Sequence, residues 1–329
     1  MTTPSAAYRR LALATAVATF ALTVVGGFVR VSDSGLGCGP KGSGFHGWPF
    51  CNGDVVPGVD LNSMIEYSHR ALAGLVSVLI LALVVLAWRR YRAHRPLVWA
   101  TSVAVLLVIA QAVLGGATVE EGLAPGYVAA HLGLAMLLLG TLVYVWQLSR
   151  QSPVASRQAV GSGVRVLSVA ATVAVFATIV AGGYMAGTQN YGRADYRIGD
   201  GAHHACGKQF PTCNGEFMPF GKARLVDVHL THRAFMYLAT LLVLALVAVT
   251  LRRRPSAGAA RSAKLLLALL AVQLVLGALN VWLDEYEGLI IAHLAAGTLL
   301  WATATGLTLQ LFRVPAPAAA PARAEAVPA

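Results

Sequence analysis

Eight long apolar segments follow one another along the 329-residue chain and constrain its fold more than any other feature. With its flanking residues, each is long enough to cross a hydrocarbon layer of about 30 Å as an α-helix rising about 1.5 Å per residue. Only 12% of the residues are charged, against about 25% in an ordinary soluble domain, which excludes a soluble enzyme. We therefore predict an all-α integral membrane protein with eight spans, at 11–29, 71–88, 97–117, 127–148, 166–187, 234–251, 265–283 and 289–312.

The charged residues between the spans predict how the chain sits in the membrane. Eight spans place both termini on one side, and that side holds 16 of the 25 basic residues but only one of the 14 acidic residues, Glu325. Because basic residues accumulate in cytoplasmic loops, we predict that both termini are cytoplasmic. The arginine clusters are short turns and form no continuous basic face, so a nucleic-acid partner is not expected. A cleaved signal peptide is the alternative for the first span, but its 19 residues exceed a usual apolar core of about 7 to 15.

The second half of the chain repeats the first at an offset near 162 residues. Segment 49–53 matches 211–215, 69–70 matches 232–233, 111–115 matches 273–277, and 130–132 matches 292–294. Four spans per repeat give both halves the same orientation, so we predict two tandem, pseudo-symmetric four-helix bundles. The predicted parts are a cytoplasmic N-tail at 1–10, a first half at 11–148, a cytoplasmic linker at 149–165, a second half at 166–312 and a disordered C-tail at 313–329.

Four histidines occupy matching repeat positions near the outer ends of the even-numbered spans: His69, His131, His232 and His293. Polar side chains are costly in a membrane unless they face a partner inside the bundle. Two imidazoles at one depth on two facing helices are typical of the axial ligands of a heme iron. A single histidine near the membrane surface would be an ordinary hydrogen-bonded residue, and a bare zinc site would need further ligands.

The two halves differ three residues before the first histidine of each pair, where the first half has Glu66 and the second half has His229. Glu66 shares a helical face with the neighbouring histidine, so we predict that it lies in the bundle interior and exchanges protons there. The alternative is a helix-start carboxylate facing water. His229 is predicted to tune or gate its site, and Arg70 and Arg233 contact either heme propionates or lipid phosphates.

All four cysteines fall in the two long loops assigned to the outer side, one pair per repeat: Cys38 and Cys51, then Cys206 and Cys213. An oxidising compartment favours disulfides, which either staple the loops or act as a redox-active thiol relay. A zinc site that combines the second pair with His203 and His204 is a third alternative, although the spacing matches no common zinc motif.

These residues together resemble the heme A synthase family, integral membrane enzymes of cytochrome oxidase cofactor biosynthesis. The resemblance covers nearly the whole chain, and the Glu-Tyr-x-His-Arg segment at 66–70 in a repeated eight-span frame is its most specific part. The other matching segments are 26–30 leading into 34–38, 48–49 with 51–53, the second-half pair 232–233 and the two fourth-helix histidines. The family usually places its first two cysteines closer together, whereas a Gly-rich insertion at 39–50 separates them here.

The resemblance implies a role for each candidate site residue. His232 and His293 would ligate a resident heme b, His69 and His131 would bind the substrate heme O, and Glu66 would be the catalytic carboxylate. The implied reaction is two successive hydroxylations of one heme methyl group, followed by loss of water to leave a formyl group. The first cysteine pair becomes a candidate redox or transfer element.

The expected location is the cell membrane, as a multi-pass protein with its cysteine loops on the extracytoplasmic side. The implied partners are heme O, heme O synthase (protoheme farnesyltransferase), an unidentified redox partner and membrane lipid, and a homo-oligomer is left open. Two other functions compete with the enzyme: a diheme b-type electron-transfer protein and a heme carrier. Electron transfer across the membrane requires hemes at different depths, and a carrier would yield only unmodified heme B on extraction.

Overall fold

The structure is a computed structural model that describes residues 3–150, 160–188, 201–283 and 286–312. Within these ranges the chain is all-helical apart from its loops, and eight of its helices are long and apolar enough to cross a membrane, as predicted. They are α1 Ala6–Val31, α2 Leu61–Arg90, α3 Arg95–Glu120, α4 Pro125–Ser149, α5 Ser162–Gly187, α6 Arg224–Arg253, α7 Ala257–Trp282 and α8 Glu287–Phe312. Two short 3-10 turns, Gly44–His46 and Ala202–Cys206, lie in the loops that carry the cysteines.

Helices α2 and α6 begin ten residues before the predicted spans, at Leu61 and Arg224. The first turns of α2 are polar and escape an apolar window, but Asp60 caps them because its carboxylate accepts a hydrogen bond from the Ser63 N–H at 3.0 Å. The first histidine of each half therefore lies inside a helix, about two turns from its start.

The predicted tails and linker fall partly outside the described residues. The C-tail predicted at 313–329 and residues 151–159 of the linker lie outside them entirely. Where the chain is described, α1 already begins at Ala6, α4 ends at Ser149 and α5 begins at Ser162, so helix extends into both the N-tail and the linker.

The four helices of each half pack as a closed ring. In the first half α1 and α3 each contact both α2 and α4, and in the second half α5 and α7 each contact both α6 and α8. Helices α2 and α4 are therefore diagonal across one ring, and α6 and α8 across the other. The arrangement agrees with the predicted pair of four-helix bundles.

The two halves meet through α4 with α5, α1 with α8, and α4 with α8. Exchanging the two halves turns the contact of α4 with α5 into that of α8 with α1 and leaves the contact of α4 with α8 unchanged, as a pseudo-twofold arrangement requires. Hydrogen bonds cross the interface in its apolar part: Trp301 Nε1 donates to the Met136 carbonyl at 2.9 Å, and Gln147 Nε2 donates to the Gly306 carbonyl at 2.8 Å. Paired polar groups buried between helices help to fix the two rings against each other.

Candidate functional site

Each of the four candidate ligand histidines lies against a glycine of the helix that precedes its own. A side-chain Cβ at the glycine would come within 2.9 to 3.1 Å of the imidazole Cε1 atom, closer than ordinary van der Waals contact. Glycine thus lets the ring approach the neighbouring backbone. The four pairs are Gly26 with His69, Gly115 with His131, Gly182 with His232, and Gly277 with His293.

The two histidines of each half lie on diagonal helices of their ring. His69 interacts electrostatically with His131, and His293 with His232, and all four side chains are half-buried. The structure therefore brings together the pairs that the repeat predicted. Two imidazoles from opposite helices, each with a glycine behind it, are the donor set that would hold a heme iron.

One ring nitrogen of each second-half histidine lies within hydrogen-bond distance of a neighbouring group. His232 Nδ1 lies 3.0 Å from the Thr178 carbonyl oxygen, which leaves Nε2 to face a ligand, the usual arrangement of a metal-binding histidine. His293 Nε2 lies 3.0 Å from Gln273 Nε2. In the described part of the chain, the buried Nδ1 atoms of His131 and His293 have no hydrogen-bond partner.

Glu66 is buried, with 3% of its surface exposed, beside the first-half histidines. Its Oε2 accepts a hydrogen bond from the backbone N–H of Cys38 at 2.8 Å, and its Oε1 accepts one from Arg70 Nη2 at 2.5 Å. These two donors fix the carboxylate between the cysteine loop and α2. The burial does not agree with a helix-start carboxylate that faces water.

His229 occupies the matching position in the second half and is buried to the same extent. Its Nδ1 lies 2.7 Å from the Ala202 carbonyl oxygen, so here too the side chain joins the helix to the loop. The adjacent loop histidine, His203, is held neutral at physiological pH because burial, with smaller contributions from His229 and other neighbours, keeps its pKa well below the usual value. The second half therefore places an imidazole, that of His229, where the first half places a carboxylate.

The two arginines that follow the histidines support the loops. Arg70 Nη1 donates to the Phe50 carbonyl at 2.8 Å, and Arg233 Nη1 donates to the matching Thr212 carbonyl at 2.9 Å. Arg233 Nη2 donates to the Gln209 carbonyl at 2.8 Å, whereas the matching Nη2 of Arg70 donates to the Glu66 carboxylate. Arg233 is only 3% exposed, which does not agree with a contact to lipid phosphate.

Both predicted disulfides form, Cys38–Cys51 and Cys206–Cys213, with S–S distances of 2.02 and 2.04 Å. The insertion at 39–50 is accommodated as a loop between the first two cysteines. The second cysteine of each pair is followed by an Asn-Gly turn in which both residues have positive φ, a conformation that these two residue types favour. Because the second disulfide takes both of its sulfurs, the zinc alternative is wrong.

A second glycine on α1 and on α5 joins the two halves. A Cβ at Gly27 would lie 2.2 Å from Leu294 Cδ2, and a Cβ at Gly183 would lie 3.0 Å from Leu132 Cδ2. Each of these leucines directly follows a candidate ligand histidine of the other half. The double glycines therefore contact an imidazole of their own half on one side and the neighbouring bundle on the other, which sequence reasoning did not foresee.

The fold and the site define an eight-helix integral membrane protein in which each four-helix half presents two histidines to each other across its interior. Residues 59–305 of the chain match the cytochrome oxidase assembly protein family, COX15-CtaA. The chain belongs to this family, which confirms the resemblance seen in its sequence.

Several curated relatives match most of the chain. The Heme A synthase of Halalkalibacterium halodurans is 31% identical over 237 residues, which are 71% of this chain and 73% of that protein. The Heme A synthase of Shouchella clausii is 27% identical over 248 residues, with 74% and 76% covered. The Heme A synthase of Alkalihalophilus pseudofirmus is 29% identical over 254 residues, with 75% and 78% covered.

Proposed function

We propose that this chain is a heme A synthase, an oxidoreductase that converts heme O to heme A for cytochrome oxidase. The observation that carries the proposal, beyond membership of the family, is the difference between two otherwise matching sites. Each half has a glycine-backed pair of histidines, but among the described residues a buried carboxylate, Glu66, is found only in the first half, one helical turn before His69. Matching scaffolds with unequal chemistry suit one site that transforms a heme and another that retains one.

The second half is the proposed site of a resident heme b, with His232 and His293 as its axial ligands. The hydrogen bond between His232 Nδ1 and the Thr178 carbonyl orients the ring and fixes its tautomer, which supports a permanently held ligand. Gly182 and Gly277 let both rings lie close to the neighbouring helices. When bound, heme b supplies one-electron transfer. His229, fixed to the loop on one side of this site, modulates its polarity.

The first half is the proposed site of the substrate heme O, held between His69 and His131. The methyl group to be oxidised is placed near Glu66, whose two hydrogen-bond donors hold the carboxylate in one orientation. Two successive hydroxylations convert the methyl carbon to a geminal diol, each adding one oxygen atom from water and releasing two electrons and two protons, the electrons to the redox partner. Loss of one water then leaves the formyl group. Glu66 accepts and returns the proton of that dehydration, and burial keeps bulk water from competing for it.

The proposed orientation puts both termini in the cytoplasm and the cysteine loops outside the cell membrane. Arg70 and Arg233 retain N–H donors beyond those used for the loop carbonyls, and we assign these to the propionates at the outer rim of each heme. Heme O comes from the reaction that attaches the farnesyl chain to protoheme, and the electrons removed pass to a redox partner that has yet to be identified.

The experiment expresses the chain in a host that makes heme O and separates the extracted hemes by chromatography. The wild-type chain is expected to yield heme A. Glu66→Gln keeps the size and most contacts of the side chain but cannot ionise, so we expect the purified variant to retain heme and to yield no heme A. Glu216→Gln, an exposed loop carboxylate of the second half, is the matched control and is expected to yield heme A normally.

Wild-type amounts of heme A from Glu66→Gln would remove the carboxylate from the reaction. Extraction of heme B alone from the wild-type chain would favour an electron-transfer protein or a carrier instead of an enzyme.

A further inference from the structure

The two halves also differ at the end of the bundle that carries the chain termini. In the first half, Tyr8 and Tyr91 fill the space between the start of α1 and the end of α2, with 2% and 7% of their surfaces exposed and ring centroids 5.0 Å apart. The Tyr91 hydroxyl accepts a hydrogen bond from the Ser5 N–H at 2.9 Å. This corner of the first half is closed by aromatic packing.

The matching corner of the second half has smaller or more polar residues. Aligning Gly26 of α1 with Gly182 of α5 places Val164 at the position of Tyr8. Aligning His69 of α2 with His232 of α6 places Arg254 at the position of Tyr91. A cavity of about 310 Å³ lies here among α5, α6 and α8. Its apolar wall is formed by Val160, Val164, Val249 and Leu311, and its polar wall by Thr250 and Arg253.

The Thr250 hydroxyl is the first polar group in the cavity that indicates a bound ligand. The residue is 1% exposed, and its hydroxyl has no hydrogen-bond partner among the described residues. The first half has an alanine, Ala87, at the matching position. A buried hydroxyl left unpaired is unfavourable, so a polar group in the cavity that accepts its hydrogen would remove the cost.

The start of α5 supplies further donors next to the same cavity. Ser5 caps α1 by accepting a hydrogen bond from the Tyr8 N–H at 3.2 Å, but the matching residue before α5 is Gly161, which has no side chain to cap the helix. The first N–H groups of a helix left without such a cap form a site for an anion. The Arg253 guanidinium lies beside this helix start, 3.6 Å from the position of a Cβ at Gly161.

The charge at this end of the molecule favours an anion as well. Arg165, Arg252, Arg253 and Arg254 gather around the helix ends, and the described helix ends on this side carry no aspartate or glutamate. An inorganic anion alone would leave the four apolar side chains of the other wall without a partner. A ligand that joins a phosphate to a hydrocarbon chain satisfies both walls.

We propose that this cavity binds one anionic phospholipid from the leaflet that faces the chain termini. Its phosphate accepts hydrogen bonds from the Thr250 hydroxyl, Arg253 and the first N–H groups of α5, and its glycerol and upper acyl chain lie against Val164, Val249 and Leu311. The site belongs to the second half alone, because the tyrosine pair fills the matching place in the first half.

Native mass spectrometry of the purified full-length protein in detergent tests the proposal. Phosphatidylglycerol, phosphatidylcholine and inorganic phosphate are titrated separately, and retained adducts are counted. We expect one retained phosphatidylglycerol per chain and little retention of the other two. Arg253→Gln removes a charged hydrogen bond and is expected to weaken retention about 10- to 100-fold, and Thr250→Val, which removes a neutral one, about fivefold.

Two further variants control for folding and for general charge. Arg90→Gln removes the matching arginine of the first half, where Tyr8 and Tyr91 pack in the matching corner, and is expected to leave retention unchanged. Val164→Tyr copies the first half and fills the cavity, so it is expected to abolish retention while leaving bound heme unchanged.

Several results would overturn the proposal. They are equal retention of phosphatidylcholine and phosphatidylglycerol, retention of inorganic phosphate as strong as that of the lipid, no adduct at all, or unchanged retention in both Arg253→Gln and Val164→Tyr.

Discussion

Substitution of Gly182 tests whether the contact between glycine and imidazole positions a heme ligand. A Cβ at this position would lie 3.0 Å from Cε1 and 3.2 Å from Nδ1 of His232, so an alanine already requires a shift of a few tenths of an ångström. Valine adds two methyl groups on the same side and must push the ring away from the Thr178 carbonyl. Overpacking of this kind costs about 1–3 kcal/mol, which corresponds to about 5- to 150-fold weaker heme retention in the second half.

The assay measures heme b per protein in the purified Gly182→Ala and Gly182→Val variants, together with their unfolding temperatures. Glycine and valine have similar, low helix propensities, so the helix itself is not expected to weaken. Gly74→Val is the matched control, because a Cβ at Gly74 on α2 meets nothing within 4 Å. We expect graded loss of heme b from alanine to valine at 182 and none at 74. Full heme b content in Gly182→Val would refute the argument.

Two further predictions concern the first half. Arg70→Met removes the hydrogen bonds to the Phe50 carbonyl and to the Glu66 carboxylate, so chromatography of extracted hemes is expected to show less heme A but undiminished heme b. Equal loss of both would show a general folding defect. The N–H and hydroxyl groups of Ser63 donate to Asp60 and hold the pKa of the Asp60 carboxyl below its usual value. The carboxylate therefore stabilises α2 fully above the unfolded-state pKa, and this stabilisation is lost as the pH falls through the folded-state pKa. Asp60→Asn is expected to flatten the acid side of the plot of melting temperature against pH, and an unaltered plot would contradict this.

The number of helices and their division into two bundles could be predicted because both follow from local patterns. Apolar segments of about 20 residues allow little besides membrane helices, and the repeat fixes their grouping. The starts of α2 and α6 could not be predicted in the same way. Residues such as Ser63 are too polar for an apolar window to detect, and the first turns of α2 form because Asp60 caps them and the cysteine loop covers them.

The candidate site was predictable to the extent that it repeats. The histidine pairs and the difference between Glu66 and His229 could be read from aligned halves, whereas a glycine acquires its role only from the ring that packs against it. The arginine contacts depend on where the loops fold back, so neither alternative for Arg70 and Arg233 included the loop carbonyls that they bind. Long-range packing of this kind leaves no periodic signal in the sequence.

The most direct test of the central claim is the spin state of the heme iron in purified protein and in variants of each histidine pair, measured by electron paramagnetic resonance. In protein from a host that makes no heme O, we expect a low-spin signal typical of two imidazole ligands that disappears in His232→Ala and in His293→Ala. The signal is expected to persist in the double variant His69→Ala and His131→Ala, which yields no heme A in a host that does make heme O. An unchanged low-spin signal after removal of both second-half histidines would contradict the account.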